Sequence, residues 1–248
     1  METTRSTAPR VAMVLGGSGG IGAAVSRRLA NSGMSVVVHY AGGAGRAQQV
    51  VRELRDNGAT ATAFGGDVAD PDDMAALFKH ADEEFGGVDV VVNTAGIMTL
   101  GPLAQFDLDE FDRMVRVNVR GTFVVTQQAV RHLRDGGSLI NFSTSITRLQ
   151  TPTYAAYAAT KGAVEAMTLI AARELRGRNI TVNTVAPGPT ATPLFLDDKP
   201  TDLIERISAL SPMERIAQPD DIAAVVADLA RPYGWVSGQT VFVNGGAA

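Results

Sequence analysis

The chain has 248 residues, of which 45% are hydrophobic and 19% charged, so it can bury a sizeable core and is not a disordered chain. Its formal net charge of -4 gives no electrostatic footprint for nucleic acid, and no apolar run approaches the roughly 18 residues of a membrane span. Without cysteine it can form neither disulfides nor thiolate metal sites, which fits a reducing compartment, and we expect a cytoplasmic protein.

Strands and helices alternate along most of the chain. The apolar run at 11–15 ends in glycines, as expected for a strand buried on both faces, and apolar residues recur at helical spacing over 21–31. Further strands are predicted at 35–40, 59–64, 88–92, 137–142, 180–185 and 239–243. Further helices are predicted from the glycine-rich turn at 41–45 to about residue 57, from an Asp70 cap and Pro71 onward, at 109–134 as one helix or two, and at 154–176, 202–210 and 220–230.

This alternation predicts an α/β fold, because strand–helix–strand repeats give right-handed crossovers and a mostly parallel sheet covered on both faces. We expect a single Rossmann-type, doubly wound parallel sheet of about seven strands over 10–248, preceded by a flexible tail at 1–9. The regular order breaks at 189–212, which is predicted to cover the substrate. Its apolar wall would comprise Leu194, Phe195, Leu196, Leu203 and Ile207.

A glycine-rich segment, Gly16-Gly-Ser-Gly-Gly20-Ile-Gly22, follows the first predicted strand and opens the first helix. Glycines at such a turn let a pyrophosphate approach the helix N-terminus, where free amides and the helix dipole favour negative charge. An ordinary flexible turn is the alternative for a lone glycine run, but the strand before it and the helix after it favour a dinucleotide site.

A tyrosine and a lysine, Tyr157 and Lys161, lie four residues apart on a predicted helix and therefore share one face. A nearby ammonium stabilises a phenolate, so we expect Lys161 to lower the pKa of Tyr157 and to make it a proton donor and acceptor near neutral pH. Taken alone, the pair is also compatible with a surface tyrosine beside a solvated lysine.

Together, the glycine spacing at 16–22 and the Tyr157–Lys161 pair resemble the short-chain dehydrogenase/reductase family, and the match spans about residue 10 to the C-terminus. The run at 186–195 is similar to naphthol-reductase-like and 3-oxoacyl-reductase-like members. The chain departs from the family at Leu15 and Thr94, where threonine and asparagine are usual, and we expect small local effects there. The resemblance implies cofactor contacts from Gly16, Ser18, Gly20, Ile21, Tyr40, Arg46, Asp67, Val68, Asn93, Ala95, Gly96, Tyr157, Lys161, Pro187, Gly188, Thr190 and Thr192.

The resemblance also implies catalytic roles for Asn118, Tyr157 and Lys161, with Asn118 holding a water that links Lys161 to solvent. A serine usually stands about 13 residues before the tyrosine. Here that position is Thr144, and a loop one residue shorter would place Ser145 there instead. Either hydroxyl could donate to a developing alkoxide, so both remain candidates.

Cofactor preference depends on the end of the second strand, where NAD-dependent members carry an aspartate that binds the ribose 2′-hydroxyl. This chain has Tyr40 at that position, and Arg46 follows at a predicted helix start, where amides and a guanidinium could hold a 2′-phosphate. The pattern favours NADP(H), with NAD(H) as the alternative.

We therefore predict an NADP(H)-dependent oxidoreductase that interconverts a ketone or aldehyde and an alcohol. Its partners would be a small-molecule substrate and further copies of the chain, because members of the family commonly form tetramers or dimers. The three histidines are scattered, so no metal site is expected. Alternative functions are a catalytically silent dinucleotide-binding regulator and an enoyl reductase, although enoyl reductases of the wider superfamily usually space the tyrosine and lysine further apart.

Overall fold

The computed structural model describes residues 9–197 and 200–248, so most of the expected tail and part of the expected lobe lie outside the described residues. The strands of the described chain are β1 (Val11–Leu15), β2 (Ser35–Tyr40), β3 (Ala61–Gly65), β4 (Val88–Asn93), β5 (Leu133–Phe142), β6 (Thr181–Pro187) and β7 (Thr240–Val243). They form one sheet in the order β3-β2-β1-β4-β5-β6-β7, with every neighbouring pair parallel.

The helices in the same residues are α1 (Gly20–Asn31), α2 (Ala44–Asp56), α3 (Pro71–Phe85), α4 (Leu108–Met114), α5 (Gly121–His132), α6 (Ile146–Leu149), α7 (Ala155–Glu174), α8 (Pro193–Leu196), α9 (Thr201–Ala209) and α10 (Pro219–Leu229). Apolar side chains of α1, α2 and α10 pack on one face of the sheet, and those of α3, α5 and α7 pack on the other. The predicted doubly wound α/β fold is therefore confirmed.

Strand order fixes where the loops converge. The chain runs outward in one direction through β1, β2 and β3, and in the other through β4 to β7, so the order reverses between β1 and β4. Leu15 is in register with Asn93, and Asn93 with Asn141. The loops that leave these strands therefore emerge side by side at the carboxyl edge, which is where ligands bind in open α/β sheets.

The local signals read from the sequence mostly act as expected. The Asp70 carboxylate caps α3 by accepting from the amides of Asp72 and Asp73, and Pro71 opens the helix. The predicted helix at 109–134 is α4 and α5, joined without a break by a π-helical segment, Val115–Arg120. No helix within 9–197 and 200–248 is both long enough and apolar enough to cross a bilayer.

The other strands lie within two residues of their predicted bounds, whereas β5 begins four residues early. β5 begins at Leu133 and not near Gly137, because Leu133 pairs with Val88 and the register then shifts before Ser138 pairs with Val90. The extra residues form an irregularity at the start of the strand. It lies at the edge away from the convergent loops and leaves the register of Asn141 unchanged.

Candidate active site

Helix α7 places Tyr157 and Lys161 on its inner face, one turn apart. The Lys161 side chain is 4% exposed, and its Nζ lies 5.8 Å from the centroid of the Tyr157 ring. Nζ donates a hydrogen bond to the Phe142 carbonyl at the end of β5, at 2.9 Å. The ring and the amine thus face the same crevice, with the amine anchored to the sheet.

Burial dominates the titration of both groups. It raises the pKa of the Tyr157 hydroxyl well above its ordinary value, and the neighbouring Tyr154 raises it further. Burial also lowers the pKa of Lys161 to about 8. The expectation that Lys161 would depress the pKa of Tyr157 is therefore wrong for the protein alone, because desolvation disfavours the charged phenolate and raises the pKa.

Asn118 lies in the π-helical segment and is completely buried. Its Oδ1 accepts from the Ile97 amide at 2.9 Å, and its Nδ2 donates to the Ile97 carbonyl at 2.9 Å and to the Thr160 hydroxyl at 3.1 Å. The side chain therefore joins the loop after β4 to α7. A π-bulge inside a helix frequently marks a functional site.

The three hydroxyls after β5 all line the same cavity as Tyr157. Ser143 donates to Glu165 Oε1 at 2.5 Å, and Ser145 donates to the Ala186 carbonyl at 3.2 Å. The Thr144 hydroxyl oxygen accepts from the Ile146 amide at 3.4 Å. Both candidates for polarising a carbonyl, Thr144 and Ser145, therefore reach the site, and Ser145 is the more buried of the two.

The glycine-rich segment forms a tight turn against the loop after β4. Gly16 adopts φ +71°, and a Cβ built on Gly22 would lie 2.2 Å from the Gly16 carbonyl oxygen, so this approach requires glycine. The Thr94 hydroxyl donates to the Leu15 carbonyl at 2.7 Å. Leu15 and Thr94 are the two positions where the chain departs from the family pattern. The bond between the Thr94 side chain and the Leu15 backbone braces the turn.

The loop after β6 closes over this turn. A Cβ on Gly20 would lie 2.6 Å from Thr192 Cγ2, and the side chains of Thr190 and Thr192 are buried. Pro187 and Gly188 connect this loop to the sheet. A Cβ on Gly96 would lie 3.3 Å from Lys161 Nζ. Glycines therefore keep the floor of the crevice open along its length.

The glycine-rich segment, the loops after β4, β5 and β6, and α7 all contribute residues to the lining of one cavity of about 490 Å³. Its lining includes the expected cofactor residues Ile21, Gly96, Lys161, Pro187, Gly188, Thr190 and Thr192, together with Thr144, Ser145 and Tyr157. The expected apolar wall contributes Leu194, Phe195 and Ile207, whereas Leu196 and Leu203 do not line the cavity. Lining residues that the sequence interpretation missed are Met98, Leu149, Tyr154, Leu210 and Met213.

Several expected cofactor residues lie outside this cavity. Asp67 is paired with Arg116 at 2.7 Å and accepts from the Ala69 amide at 2.9 Å. Burial raises the Asp67 pKa, but these two contacts outweigh it and the pKa is lowered overall. The Val68 side chain is buried in the core, so only its backbone can face a ligand.

Four further residues that were expected to contact the cofactor also lie outside the cavity. Asn93 is buried, and its Oδ1 accepts from the Ala95 amide at 3.3 Å, so its side chain braces the loop and does not face the cavity. At the end of β2, the Tyr40 ring packs against Gly65, and the Arg46 guanidinium folds over Gly43 at the start of α2. Ser18 lies in the turn itself, partly buried.

His39, one of the three histidines for which no metal role is expected, connects the glycine-rich turn to the loop after β3. His39 is 1% exposed, and its Nε2 lies 3.0 Å from the Gly66 carbonyl, while the Gly16 amide approaches Nδ1 at 3.5 Å. Burial lowers the His39 pKa to about 4, so the ring is neutral near pH 7, with Nε2–H as the donor. The signal available in the sequence was a histidine inside the apolar run of β2.

A parallel sheet whose glycine turn, buried lysine and cavity-facing tyrosine meet at the strand-order reversal defines a dinucleotide-binding oxidoreductase. Comparison with known proteins agrees. A family model described as enoyl-(acyl carrier protein) reductase matches residues 16–248. A short-chain type dehydrogenase/reductase of Picea abies is 40% identical, with 96% of this chain and 92% of the relative covered.

Two further relatives have more specific names. Versicolorin reductase stcU of Emericella nidulans is 39% identical, over 96% of this chain and 95% of the relative. An NADPH-dependent aldehyde reductase-like protein of Arabidopsis thaliana is 38% identical, over 96% and 94%.

Solved structures give the same picture. A short-chain dehydrogenase/reductase from Serratia marcescens superposes with a TM-score of 0.91 at 38% identity, covering 97% of this chain and 98% of the other. The angucycline C-6 ketoreductase LanV with bound NADP gives 0.90 at 36% identity, covering 96% and 95%. The chain therefore belongs to the short-chain dehydrogenase/reductase family, and it is an NAD(P)-dependent oxidoreductase.

Proposed function

We propose that the protein reduces a small, largely apolar ketone or aldehyde to an alcohol, with NADPH as the hydride donor and Tyr157 as the proton donor. The observation that carries the proposal is the single cavity in which Tyr157, the Thr144 and Ser145 hydroxyls, and buried Lys161 meet an apolar wall. Because this cavity lies at the carboxyl edge of the sheet, carbonyl and cofactor can meet there.

The state of Tyr157 fits proton donation. Its raised pKa keeps the phenol protonated at neutral pH, and a phenol is a stronger acid than the alcohol that forms when the alkoxide left by hydride transfer takes up a proton. Transfer from Tyr157 to that alkoxide is therefore favourable.

Lys161 serves two purposes in this proposal. With a pKa of about 8, it is mostly protonated at pH 7, and the positive charge next to the ring favours the phenolate left after proton donation. Its Nζ also lies beside Gly96 on the cavity floor, where it can donate to the ribose of a bound cofactor. Asn118 holds the loop that contains this floor, and we assign it the water contact expected for its position.

The carbonyl-polarising hydroxyl is Ser145 or Thr144. The Thr144 hydrogen has no partner among the described residues, whereas Ser145 must exchange its bond to the Ala186 carbonyl for one to the substrate. Ser145→Ala and Thr144→Val separate them, because loss of an oxyanion donor lowers kcat by about 100- to 1,000-fold. The variant with the larger fall in kcat identifies the donor.

The cofactor assignment rests on the end of β2. Tyr40 provides no carboxylate to bind a 2′-hydroxyl, and the Arg46 guanidinium lies at the N-terminus of α2, where unpaired amides favour a phosphate. The bound NADP of LanV and the printed name of the Arabidopsis relative support NADP(H). Asp67, paired with Arg116, and the Val68 backbone would then border the adenine.

The substrate class follows from the wall of the cavity. Met98, Leu149, Leu194, Phe195, Ile207, Leu210 and Met213 give it an apolar lining. The lobe at 189–212 supplies four of these side chains, and we propose that it covers the substrate. Two of the similar proteins are named as a versicolorin reductase and an angucycline C-6 ketoreductase. We therefore place aromatic polyketide ketones first in a panel of test substrates, followed by 3-oxoacyl thioesters and simple aldehydes.

The decisive assay follows the oxidation of NADPH and NADH with that panel. Tyr157→Phe should abolish turnover and leave NADPH affinity near the wild-type value, while Tyr233→Phe, on the surface away from the cavity, is the matched control. Turnover retained by Tyr157→Phe refutes the assigned role. A protein that binds NADPH but reduces no member of the panel would instead be a silent dinucleotide-binding regulator.

Enoyl reduction is the second candidate, because the matching family model carries that description. The one-turn spacing of Tyr157 and Lys161 favours carbonyl reduction over it. Adding a 2-enoyl thioester to the panel separates the two reactions, since loss of the enoyl absorbance without loss of any ketone substrate would favour enoyl reduction.

We further propose a homo-oligomer, a tetramer or dimer, in the cytoplasm. Large apolar side chains remain exposed on the outer faces of α5 and α7 and before β7, namely Phe123, Leu169, Ile170 and Trp235. Light scattering coupled to size-exclusion chromatography gives the number of subunits, and a monomer would contradict the proposal.

A further inference from the structure

Helix α7 carries a third polar side chain in line with Tyr157 and Lys161. Glu165 follows Lys161 by one turn, and its Oε1 accepts hydrogen bonds from the Ser143 hydroxyl at 2.5 Å and from the Thr147 hydroxyl at 2.9 Å. The Thr147 hydroxyl also lies 2.9 Å from the Thr144 carbonyl, so the two acceptors share its one hydrogen. Both donors belong to the segment 143–147, which leaves β5 and carries the two candidate carbonyl-polarising hydroxyls. One carboxylate oxygen thus holds both ends of this segment.

The other side of the segment is fixed by the sheet. The Ser143 amide donates to the Val185 carbonyl at 2.8 Å, and the Ser145 amide donates to the Pro187 carbonyl at 2.9 Å. Toward α7, the only other polar contact from 143–147 among the described residues is the Lys161 carbonyl, which lies 3.4 Å from the Ser143 hydroxyl and competes with the nearer Glu165 for its one hydrogen. Glu165 therefore provides the main connection between the hydroxyl-bearing segment and the helix that carries Tyr157.

We infer that Glu165 is a positioning residue for carbonyl reduction. Tyr157 and the hydroxyl of Thr144 or Ser145 must reach the same carbonyl oxygen, so their separation must be held constant, and Glu165 ties together the two elements that carry them. A displacement of about 1 Å at a reacting group lowers a rate by as much as 100-fold. This inference rests on the proposed reductase function.

The substitutions follow from the chemistry of the two bonds. Glu165→Gln keeps an oxygen that can accept both hydroxyls, whereas Glu165→Leu has a similar shape and no acceptor. Glu174→Leu is the matched control, because Glu174 is exposed in the last turn of the same helix.

The first measurement is hydrogen–deuterium exchange of peptides covering 143–149, which needs no turnover. We expect at least about tenfold faster exchange in Glu165→Leu, and wild-type exchange in Glu165→Gln and Glu174→Leu. Wild-type protection of this segment in Glu165→Leu overturns the inference. If the wild-type protein reduces no substrate of the panel, the proposed function fails, and this measurement still decides whether Glu165 anchors the segment.

The second measurement is steady-state kinetics on the substrate that the panel identifies. Glu165→Leu should lower kcat by about 10- to 100-fold, leave the Kd for NADPH within about twofold, and raise the isotope effect with NADPH deuterated at the transferred position, since hydride transfer becomes slower. Glu165→Gln should stay close to wild type. An unchanged kcat in Glu165→Leu, or an equal fall in Glu165→Gln, overturns the inference.

Should Glu165→Leu fail to fold, Thr147→Val removes one of the two donors and keeps the shape of its side chain. It should speed exchange over 143–149 and lower kcat severalfold. Wild-type exchange and kcat in Thr147→Val overturn the inference.

Discussion

Lys161→Met should reveal the stability that the fold gives up to bury a catalytic ammonium. Lys161 is 4% exposed, and burial lowers its pKa from 10.5 to about 8. A base with a lowered pKa binds fewer protons in the folded than in the unfolded state between these two values, so the folding penalty is full below pH 8 and is relieved as pH rises toward 10.5.

The size of the effect follows from this shift. At about 1.4 kcal/mol per pKa unit, the penalty is about 3 kcal/mol at pH 7 and about 1 kcal/mol at pH 9.5. Methionine cannot donate to the Phe142 carbonyl, and this loss costs about 1–3 kcal/mol at either pH. The difference in unfolding free energy between Lys161→Met and wild type should therefore fall by about 2 kcal/mol from pH 7 to pH 9.5, whatever its absolute value.

Urea unfolding of both proteins at the two pH values measures this change. Lys161→Glu is no substitute, because it buries a new charge. A difference that stays constant within about 0.5 kcal/mol, or that grows with pH, would refute desolvation as the dominant influence on Lys161. Lys161→Met should also be inactive at both pH values, because methionine lacks the ammonium that the proposed reaction requires. Function and stability therefore conflict at this residue.

The remaining predictions concern the loops around the cavity. Asn118→Ala removes the partner of the partly buried amide and carbonyl of Ile97, so chemical denaturation should show a loss of about 1–3 kcal/mol; a loss below about 0.5 kcal/mol would mean that water replaces the side chain. Gly22→Ala should raise the Kd for NADPH more than tenfold in a fluorescence titration, because its Cβ would collide with the Gly16 carbonyl; Gly162→Ala, with open space at its Cβ, is the control. Arg46→Ala should weaken NADPH binding about tenfold and leave NADH binding unchanged, as expected for loss of a charge-assisted bond to the 2′-phosphate; equal weakening of both cofactors would point to a structural role.

Local sequence determines most of the fold. The alternation of buried strands with amphipathic helices, the cap at Asp70, and the glycines at 16–22 depend on neighbours within a few residues, and the structure has each where the sequence predicts it. Helical spacing alone puts Tyr157 and Lys161 on one face. The early start of β5 was missed because it depends on pairing with β4, which is distant along the chain.

The site depends on contacts that no local pattern contains. Ser143 and Thr147 meet Glu165 from 22 and 18 residues away, and Asn118 reaches Ile97 from 21. Asp67 has an arginine partner that spacing cannot reveal. Such pairs form only when separate elements pack together.

The sequence therefore determined which functional groups the protein has and which edge of the sheet they occupy. Only the tertiary structure decided their ionisation, because the pKa values of Tyr157 and Lys161 depend on how far water is excluded around them. Exclusion of water belongs to the packed whole and is not encoded by the spacing between two residues.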